Sequence, residues 1–478
     1  MTNKLIDEIR NNLDNGNVTS EMLFEEATSK AKKYQDEYNS FVTIMDNKEE
    51  LEGNSILRGI PYALKDNIST KGILTTASSN ILKDYIPLYD ATIYKKLKES
   101  GAVLMGKTVL DELAMGGTGT TGHTGIVRNP WNKERMIGGS SAGSAAAVAL
   151  GIVPFAIGSD TGDSIRKPAA YGGVVGYKPT YGRISRYGLF AFASSLDHLG
   201  VFARSVKDVS YVMDIVKGHD EKDMTSLPDE DISYVDNIDN DIKGKKLFYI
   251  KEVMDITSDN DELKNIMDNF KEVISKCKSL EFEVEEVTFG KELLEAIYPV
   301  YNVISCAEAT SNNSNLTGIP FGSRVEAGNV YDIMVKTRTE GFSELIKRRF
   351  VIGSYVLQKE NQEKLFLNAS RVRRLIVDRM NELFKKYDGL IMPTSGDIAP
   401  LFDKASDKLS DEYLILGNHL VIGNFGGFPS ISIPSGFVNN MPVSINITGR
   451  AREDYLVLNM ANKIEEVLGC KGMVAKDE

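Results

Sequence analysis

Two serine clusters and one lysine are the residues of this chain whose types and spacing could do chemistry. Ser140 lies in the run GGSSAGS, and Ser164 lies further along in DTGDSIR. Lys65 precedes both. A serine nucleophile, a second hydroxyl and an amine base can transfer an acyl group without a histidine. The ordered trio therefore indicates acyl transfer with Ser164 as nucleophile, Ser140 as proton relay and Lys65 as base.

The proposed roles of Ser164 and Lys65 each require a particular local environment. Ser164 follows an apolar strand candidate, and the turn after that strand exposes backbone N–H groups to a developing oxyanion. The residues of that turn are Thr161, Gly162, Asp163 and Ser164. A lysine is a base only when burial or a neighbouring cation lowers its pKa. Taken alone, the small residues of GGSSAGS are equally compatible with tight packing of a helix on a sheet.

Composition and charge narrow the class of protein. The chain has 478 residues, 42% of them hydrophobic and 26% charged, as in ordinary globular proteins. Its net charge of −11 argues against broad nucleic-acid binding by this chain alone, but leaves room for a partner that holds the nucleic acid. The three cysteines fit no zinc spacing and indicate a reducing compartment. No secretory signal or membrane span is visible, so we expect a cytoplasmic protein.

A literal match to the dinucleotide-binding pattern G-x-G-x-x-G occurs from Gly117 to Gly122. That pattern binds a cofactor when a strand precedes it and a helix follows, and here the order of predicted elements is wrong. We interpret it as a loop bordering the active site and predict no nucleotide, cofactor or metal site on this chain. The four histidines show no metal-ligand spacing. A Ser-His-Asp triad is possible because its members can be distant in sequence, but it has no local support here, since no G-x-S-x-G elbow is present.

The pattern of elements predicts an α/β fold with a largely parallel or mixed sheet. Residues 1–50 read as a helical segment. From residue 60 onward short apolar strands alternate with helices, including strands at 102–105, 153–159, 173–177 and 246–250 and, near the end, at 389–392, 430–433 and 443–447. Helices are predicted at 142–150 and near the C-terminus, ending before Gly469, and capping-box spacing predicts a further short helix opening at Thr108.

The lysine and the two serine runs resemble the amidase signature family. The family pattern is a lysine in K-D-N, then G-G-S-S-G-G-S, then D-T-G-G-S-I-R, matched here by Lys65 to Asn67, Gly138 to Ser144 and Asp160 to Arg166. The resemblance implies one α/β/α unit around a large mixed sheet, spanning residues 51–470. Within it we expect a catalytic core at 57–205, a peripheral excursion at about 229–345 and a C-terminal part at 346–470. It also implies a cis peptide beside Ser140.

Within that family the chain is similar to the A subunits of tRNA-dependent glutamine amidotransferases. The matching text includes Asn129 to Trp131, Val175 to Leu189, Ala193 to Asp197 and Gly218 to Asp223. The resemblance implies that glutamine is hydrolysed to supply ammonia, which a B subunit uses, with ATP and magnesium, on misacylated Glu-tRNA or Asp-tRNA. A small C subunit would complete a heterotrimer. Tyr301 and Arg349 would hold the glutamine, Arg349 through its α-carboxylate.

Three departures from the family pattern bear on the substrate. Asp163 replaces a glycine beside the nucleophile, Ala142 replaces another in the first serine run, and Gly417 to Leu420 lacks an expected acidic residue. We therefore hypothesise that Asp163 pairs with the glutamine ammonium. Without the resemblance, Lys347 to Arg349 would be read as a solvated helix face. Two other functions remain open, a stand-alone amidase of the same family and a catalytically weakened scaffold subunit.

Overall fold

The computed structural model describes residues 1–256, 261–403 and 412–475. Within these residues, eleven strands form one sheet, and the predicted α/β fold with a large mixed sheet is confirmed. The strands are β1 Phe41–Ile44, β2 Pro61–Lys65, β3 Val103–Thr108, β4 Phe155–Asp160, β5 Val175–Lys178, β6 His198–Ala203, β7 Lys246–Ile250, β8 Glu283–Val287, β9 Gly389–Pro393, β10 Ser430–Val438 and β11 Met441–Gly449. Their order in the sheet is β1-β3-β2-β4-β6-β5-β10-β11-β9-β7-β8.

Helices cover both faces of this sheet. Along β2 the side chains alternate, because Leu64 packs in one hydrophobic cluster and Ala63 in another on the opposite face. The helices are α1 Ile6–Asp14, α2 Ser20–Tyr38, α3 Thr92–Glu99, α4 Ala142–Ala149, α5 Arg166–Gly172, α6 Val206–Val216, α7 Lys251–Met254, α8 Asp261–Ser279, α9 Lys291–Glu295, α10 Ile297–Asn312, α11 Val330–Gly341, α12 Glu344–Leu357, α13 Lys359–Gln362, α14 Asn368–Phe384, α15 Ile422–Phe425 and α16 Asp454–Leu468. None of these described helices is both long and apolar enough to cross a bilayer.

The register of β2 on β4 places the chemistry at one edge of the sheet. The two strands are parallel neighbours, with Leu64 opposite Ile157. Lys65 ends β2 and Asp160 ends β4, so both lie at the carboxyl end of their strands. In sheets with parallel strands that edge is where ligands bind. The sheet therefore brings the lysine next to the turn that carries Ser164.

The predicted strands are found with boundaries shifted by a few residues, but the predicted helix at Thr108 is wrong. Thr108 is the last residue of β3, where it pairs with Phe41 on β1 and Lys65 on β2. A short 3₁₀ turn follows only at Glu112–Ala114. Two neighbouring strands and complete burial outweigh a local capping pattern, because propensity is a weak prior beside tertiary packing.

Two of the segments outlined from the sequence supply strands at the ends of the sheet. The segment at 229–345 contains β7, at the strand predicted for 246–250, and β8, which was not predicted, and β7 pairs in parallel with β9. Four of its residues, 257–260, lie outside the described residues, as do 404–411 of the C-terminal part. The N-terminal segment contains α1 and α2 and adds the edge strand β1.

Candidate active site

Lys65 lies buried among serines at the end of β2. Its Nζ is 2.8 Å from Ser140 Oγ, 2.8 Å from Ser141 Oγ and 2.9 Å from Ser159 Oγ. The carbonyl oxygen of Ser159 lies 3.3 Å away. Among the described residues, no carboxylate forms an ion pair with this amine. The structure thus brings the predicted base directly onto the predicted relay, Ser140.

Burial determines the protonation of this amine. It lowers the pKa of Lys65 to about 7, while the carboxylates of Asp111, Asp160 and Asp197 act in the opposite direction from a distance. An ammonium taken out of water without a paired charge is costly, so the neutral form is favoured. Near neutral pH a large fraction of Lys65 is therefore able to accept a proton.

The GGSSAGS run forms the turn that enters α4. The Gly139–Ser140 peptide bond is cis, as the resemblance implies. The carbonyl oxygen of Ser140 accepts a hydrogen bond from Asp111 N–H at 3.1 Å, and Ser141 N–H donates to the carbonyl oxygen of Ser164 at 3.3 Å. The Ser141 hydroxyl also donates to Ser159 O at 3.0 Å. These bonds place the backbones of both serine clusters side by side.

The G-x-G-x-x-G match is a loop wrapped around the carboxylate of Asp111. Oδ2 of Asp111 accepts from the N–H groups of Thr118 and Gly119, and Oδ1 accepts from those of Thr120 and Thr121. The hydroxyl of Thr121 adds a further bond at 2.9 Å. The N–H groups that would cradle a phosphate are thus occupied by a side chain of the same protein. The interpretation of this segment as a loop beside the active site agrees with that geometry.

A buried ion pair holds the turn that carries Ser164. Asp160 Oδ1 lies 3.0 Å from Nη2 of Arg166, and Oδ2 accepts from Arg166 Nε and from Ile165 N–H. Arg166 Nη2 also donates to Gly162 O at 2.7 Å, and Asn424 donates to Asp160 Oδ1 at 2.9 Å. Burial alone would raise the pKa of Asp160, but the Arg166 guanidinium holds it well below its usual value. The turn is therefore fixed by charge-assisted bonds.

The backbone N–H groups of this turn are the predicted oxyanion donors. Within the described part of the chain, the backbone N–H groups of Gly162, Asp163 and Ser164 have no protein acceptor. Ser164 itself is 5% exposed. A Cβ added to Gly162 would lie 3.1 Å from the ring of Tyr301, so α10 places this tyrosine directly against the turn. The turn has free donors close to the serine that the sequence predicts to be the nucleophile.

Arg349 faces inward from α12. The two residues before it match the predicted solvated helix face. Arg348 is exposed, and Lys347 Nζ lies 2.8 Å from Glu344 Oε1. The Arg349 guanidinium lies 5.5 Å from the ring centre of Phe192, and its Nε is buried without a described partner. A cation stacked on an aromatic ring with an unused donor is suited to bind an anionic group.

Asp163 already has a cationic partner on its own helical turn. Its Oδ2 lies 2.9 Å from Lys167 Nζ, and the same amine donates to Gly417 O at 2.8 Å. Burial alone would lower the pKa of Lys167, but Asp163 raises it. The pair connects the turn that carries Ser164 to the segment in which the acidic residue is missing. It also neutralises the carboxylate that would otherwise oppose an oxyanion.

Four further residues contact this site, and the sequence did not indicate these contacts. Ser141 and Ser159 contact the amine of Lys65, Asp111 orders the glycine loop, and Asp197 accepts from the hydroxyl of Thr161 at 2.7 Å. Burial raises the pKa of Asp197 to about 6. The only available signal was that Ser141 and Asp111 lie next to motifs already singled out. Asp197 ends the stretch Ala193 to Asp197 that matches the family, but nothing in the sequence indicated its contact with Thr161.

Comparison with known proteins identifies the family to which this site belongs. A family model described as Amidase matches residues 1–458. The A subunit of Glutamyl-tRNA(Gln) amidotransferase from Sulfolobus acidocaldarius is 38% identical over 475 residues, which is 97% of this chain and 98% of that protein. The protein of the same name from Pseudothermotoga lettingae is 40% identical over 427 residues, covering 89% of each.

Comparison with solved structures points to the same family. The crystal structure of the Glutamyl-tRNA(Gln) amidotransferase A subunit from Thermotoga maritima superposes with a TM-score of 0.82 at 35% identity, covering 99% of this chain and 97% of that one. A 6-aminohexanoate cyclic dimer hydrolase superposes with a TM-score of 0.83 at 25% identity, covering 98% of each. The chain therefore belongs to the amidase family.

Proposed function

We propose that this protein is the glutamine-hydrolysing A subunit of a tRNA-dependent amidotransferase and that it works by a Ser-Ser-Lys mechanism. The observation that supports the mechanism is the buried Nζ of Lys65, 2.8 Å from Ser140 Oγ, with its pKa lowered to about 7. A lysine held in this way is suited to general-base catalysis, and the neighbouring turn offers free N–H groups for an oxyanion.

The proposed reaction has two halves. In the first half, the hydroxyl oxygen of Ser164 attacks the side-chain amide carbon of glutamine. The proton of the Ser164 hydroxyl passes to Ser140, and Ser140 gives its own proton to Lys65. The carbonyl oxygen becomes an oxyanion, stabilised by the N–H groups of the turn at Thr161, Gly162 and Asp163. Collapse breaks the C–N bond, the leaving nitrogen takes the proton from Lys65 through Ser140, and ammonia departs. Water then attacks the glutamyl ester by the same route and releases glutamate.

The names of the relatives support the choice of substrate and partners. Several relatives with more than 95% coverage are named as the A subunit of Glutamyl-tRNA(Gln) amidotransferase, which implies further subunits. In our proposal a B subunit binds ATP, magnesium and misacylated Glu-tRNA or Asp-tRNA and uses the ammonia, and a C subunit completes a cytoplasmic heterotrimer. No cofactor is assigned to this chain. The fold alone does not select glutamine, because hydrolases of other amides share it.

Three residues are proposed to hold the glutamine. Arg349 would pair with the α-carboxylate, because its buried Nε has no described partner and its guanidinium lies against Phe192. Tyr301 would line the pocket where it contacts Gly162. Asp163 would bind the ammonium with the carboxylate oxygen not engaged by Lys167.

Trapping the ester on Ser164 tests the function directly. The chain is co-expressed with its B and C subunits, the complex is incubated with glutamine and quenched in acid, and peptides are analysed by mass spectrometry. We expect a glutamyl ester on the peptide containing Ser164, and ammonia release that depends on glutamine. The Ser164→Ala complex should carry no ester and release no ammonia.

Other outcomes identify the alternatives. Ammonia release from small amides by the chain alone, with no association with partners, would indicate a stand-alone amidase. Equal release by native and Ser164→Ala complexes would contradict the nucleophile assignment, and absence of release in a correctly assembled complex would indicate a scaffold.

The role of Asp163 can be tested through the KM for glutamine. Replacement by glycine should raise KM about tenfold or more, because charged hydrogen bonds contribute roughly 1.5–3 kcal/mol, and should leave kcat within a few-fold. Lys167→Met is the matched control, since it removes the partner but keeps the carboxylate, and should leave KM equal or lower. Steady-state glutaminase kinetics give both constants. An unchanged KM in Asp163→Gly would disprove the ammonium role.

A further inference from the structure

The loop formed by residues 190–197 joins the nucleophile turn to the helices that carry the proposed substrate residues. It lies between β5 and β6 in sequence, and in space it contacts Thr161 on one side and α10 and α12 on the other. One carboxylate on this loop, that of Asp197, accepts hydrogen bonds both from Thr161 and from the backbone of Phe192.

Asp197 binds one side chain and two backbone groups. Its Oδ1 accepts the hydroxyl of Thr161 at 2.7 Å and Ala193 N–H at 3.1 Å, and its Oδ2 accepts Phe192 N–H at 2.9 Å. The residue is 3% exposed. Within the described part of the chain no cation forms an ion pair with it. Its contacts are therefore directional bonds that fix the relative positions of Thr161 and Phe192.

Phe192 connects this carboxylate to the proposed carboxylate-binding residue. The ring of Phe192 lies against the guanidinium of Arg349, with 5.5 Å from the carbon of that group to the ring centre. The carbonyl oxygen of Phe192 accepts from Asn312 on α10 at 3.2 Å. Any shift of the Phe192 backbone would therefore move the surface on which Arg349 rests.

The loop has a second anchor that does not involve Asp197. Glu308 on α10 accepts from the backbone and the hydroxyl of Ser195 at 2.9 and 2.6 Å. Arg373 donates to the same hydroxyl at 2.9 Å and to Phe425 O at 3.0 Å. Because this anchor remains when Asp197 is replaced, we expect the loop to stay in place with its fine alignment altered.

We propose that Asp197 is a positioning residue that couples the oxyanion turn to the Arg349 site, so that binding and chemistry depend on one carboxylate. This inference rests on the proposed function, in which the turn at Thr161 serves the chemical step and Arg349 serves substrate binding. We therefore expect Asp197 to affect both kcat and the KM for glutamine. The effect on kcat depends on its contact with Thr161, and the effect on KM depends on its contact with Phe192.

A double-mutant cycle on the assembled complex separates these contacts. Asp197→Asn keeps the size of the side chain but replaces one acceptor oxygen by a donor. We expect it to lower kcat and raise KM for glutamine, each about tenfold. Thr161→Val should lower kcat alone, and Phe192→Leu should raise KM alone. Adding Asp197→Asn should then cause no further loss of kcat in the Thr161→Val background and no further rise of KM in the Phe192→Leu background.

Controls separate this result from a folding defect and from failure of the proposed function. Asp208→Asn replaces another buried aspartate, which accepts from Ile6 N–H on the first helix, and should lower the melting temperature with both kinetic constants unchanged. If Asp197→Asn lowers kcat further in the Thr161→Val background and raises KM further in the Phe192→Leu background, while Ser164→Ala is inactive, the coupling is disproved and the function stands. If Ser164→Ala retains full activity, or the native complex hydrolyses no amide, the function fails and the inference with it.

Discussion

Replacing Lys65 by methionine is expected to reduce glutamine hydrolysis by roughly 10²–10⁴-fold, the usual contribution of a general base. Methionine is of similar length and apolar, so it fills the site, but it cannot take the proton of Ser140. In the native complex, kcat/KM should rise with pH and level off above about 7, because burial lowers the pKa of Lys65 to about 7 and only the neutral amine is a base. Initial rates between pH 5.5 and 9 measure both effects.

The matched control for this experiment is Lys107→Met. Lys107 is also fully buried and lies on the neighbouring strand, but it pairs with Asp66 at 3.3 Å and donates to Thr75 instead of the active-site serines. Its loss should destabilise the fold while the pH midpoint of the remaining activity stays near 7. A Lys65→Met complex that keeps the native rate and pH profile would rule out Lys65 as the base.

Arg166→Met is expected to produce the largest loss of stability, roughly 3–5 kcal/mol, because it leaves a buried carboxylate without its partner. Asp160 would lose the bond from Nη2 of Arg166 at 3.0 Å and that from Nε at 3.1 Å. Since Gly162 O and Leu420 O also accept from this guanidinium, the turn at Ser164 should loosen. The change can be measured by urea unfolding of the chain, and activity should fall with it.

The control for this prediction is an ion pair of the same type on the surface. Arg374 lies 2.7 Å from Asp378, and its side chain is 74% exposed. Exposed pairs of this kind contribute little because water screens them, so Arg374→Met should leave the free energy of unfolding nearly unchanged. Equal effects of the two substitutions would show that the Asp160–Arg166 pair does not hold the turn.

The sequence predicts where Lys65 and the turn of Ser164 lie in the sheet, for a physical reason. Lys65 and Ser164 follow strands with strong apolar signals, and the ends of neighbouring parallel strands meet at one edge of a sheet. The register of β2 on β4 accounts for the contact between Lys65 and Ser159, while Ser140 reaches the amine from the turn before α4.

The supporting residues could not be predicted because their roles depend on packing between distant segments. Asp197 reaches Thr161 only when the loop before β6 folds back across the turn, and β6 itself was not predicted. Lys167 was not singled out from the sequence, because its contacts with Asp163 and Gly417 O form only when the segment at Gly417 packs against the turn. The helix predicted at Thr108 failed for the same reason, since β1 and β2 pair with that residue from both sides.

The loop from Gly117 to Gly122 shows how a pattern search can identify an anion-binding backbone and still misjudge the anion. Four successive amides converge on a negatively charged group, as they would on a pyrophosphate, but the group is the carboxylate of Asp111. A search for nucleotide-dependent enzymes that relies on this pattern would wrongly include proteins of this kind. Checking whether an aspartate lies a few residues upstream of the first glycine is a simple filter against that error.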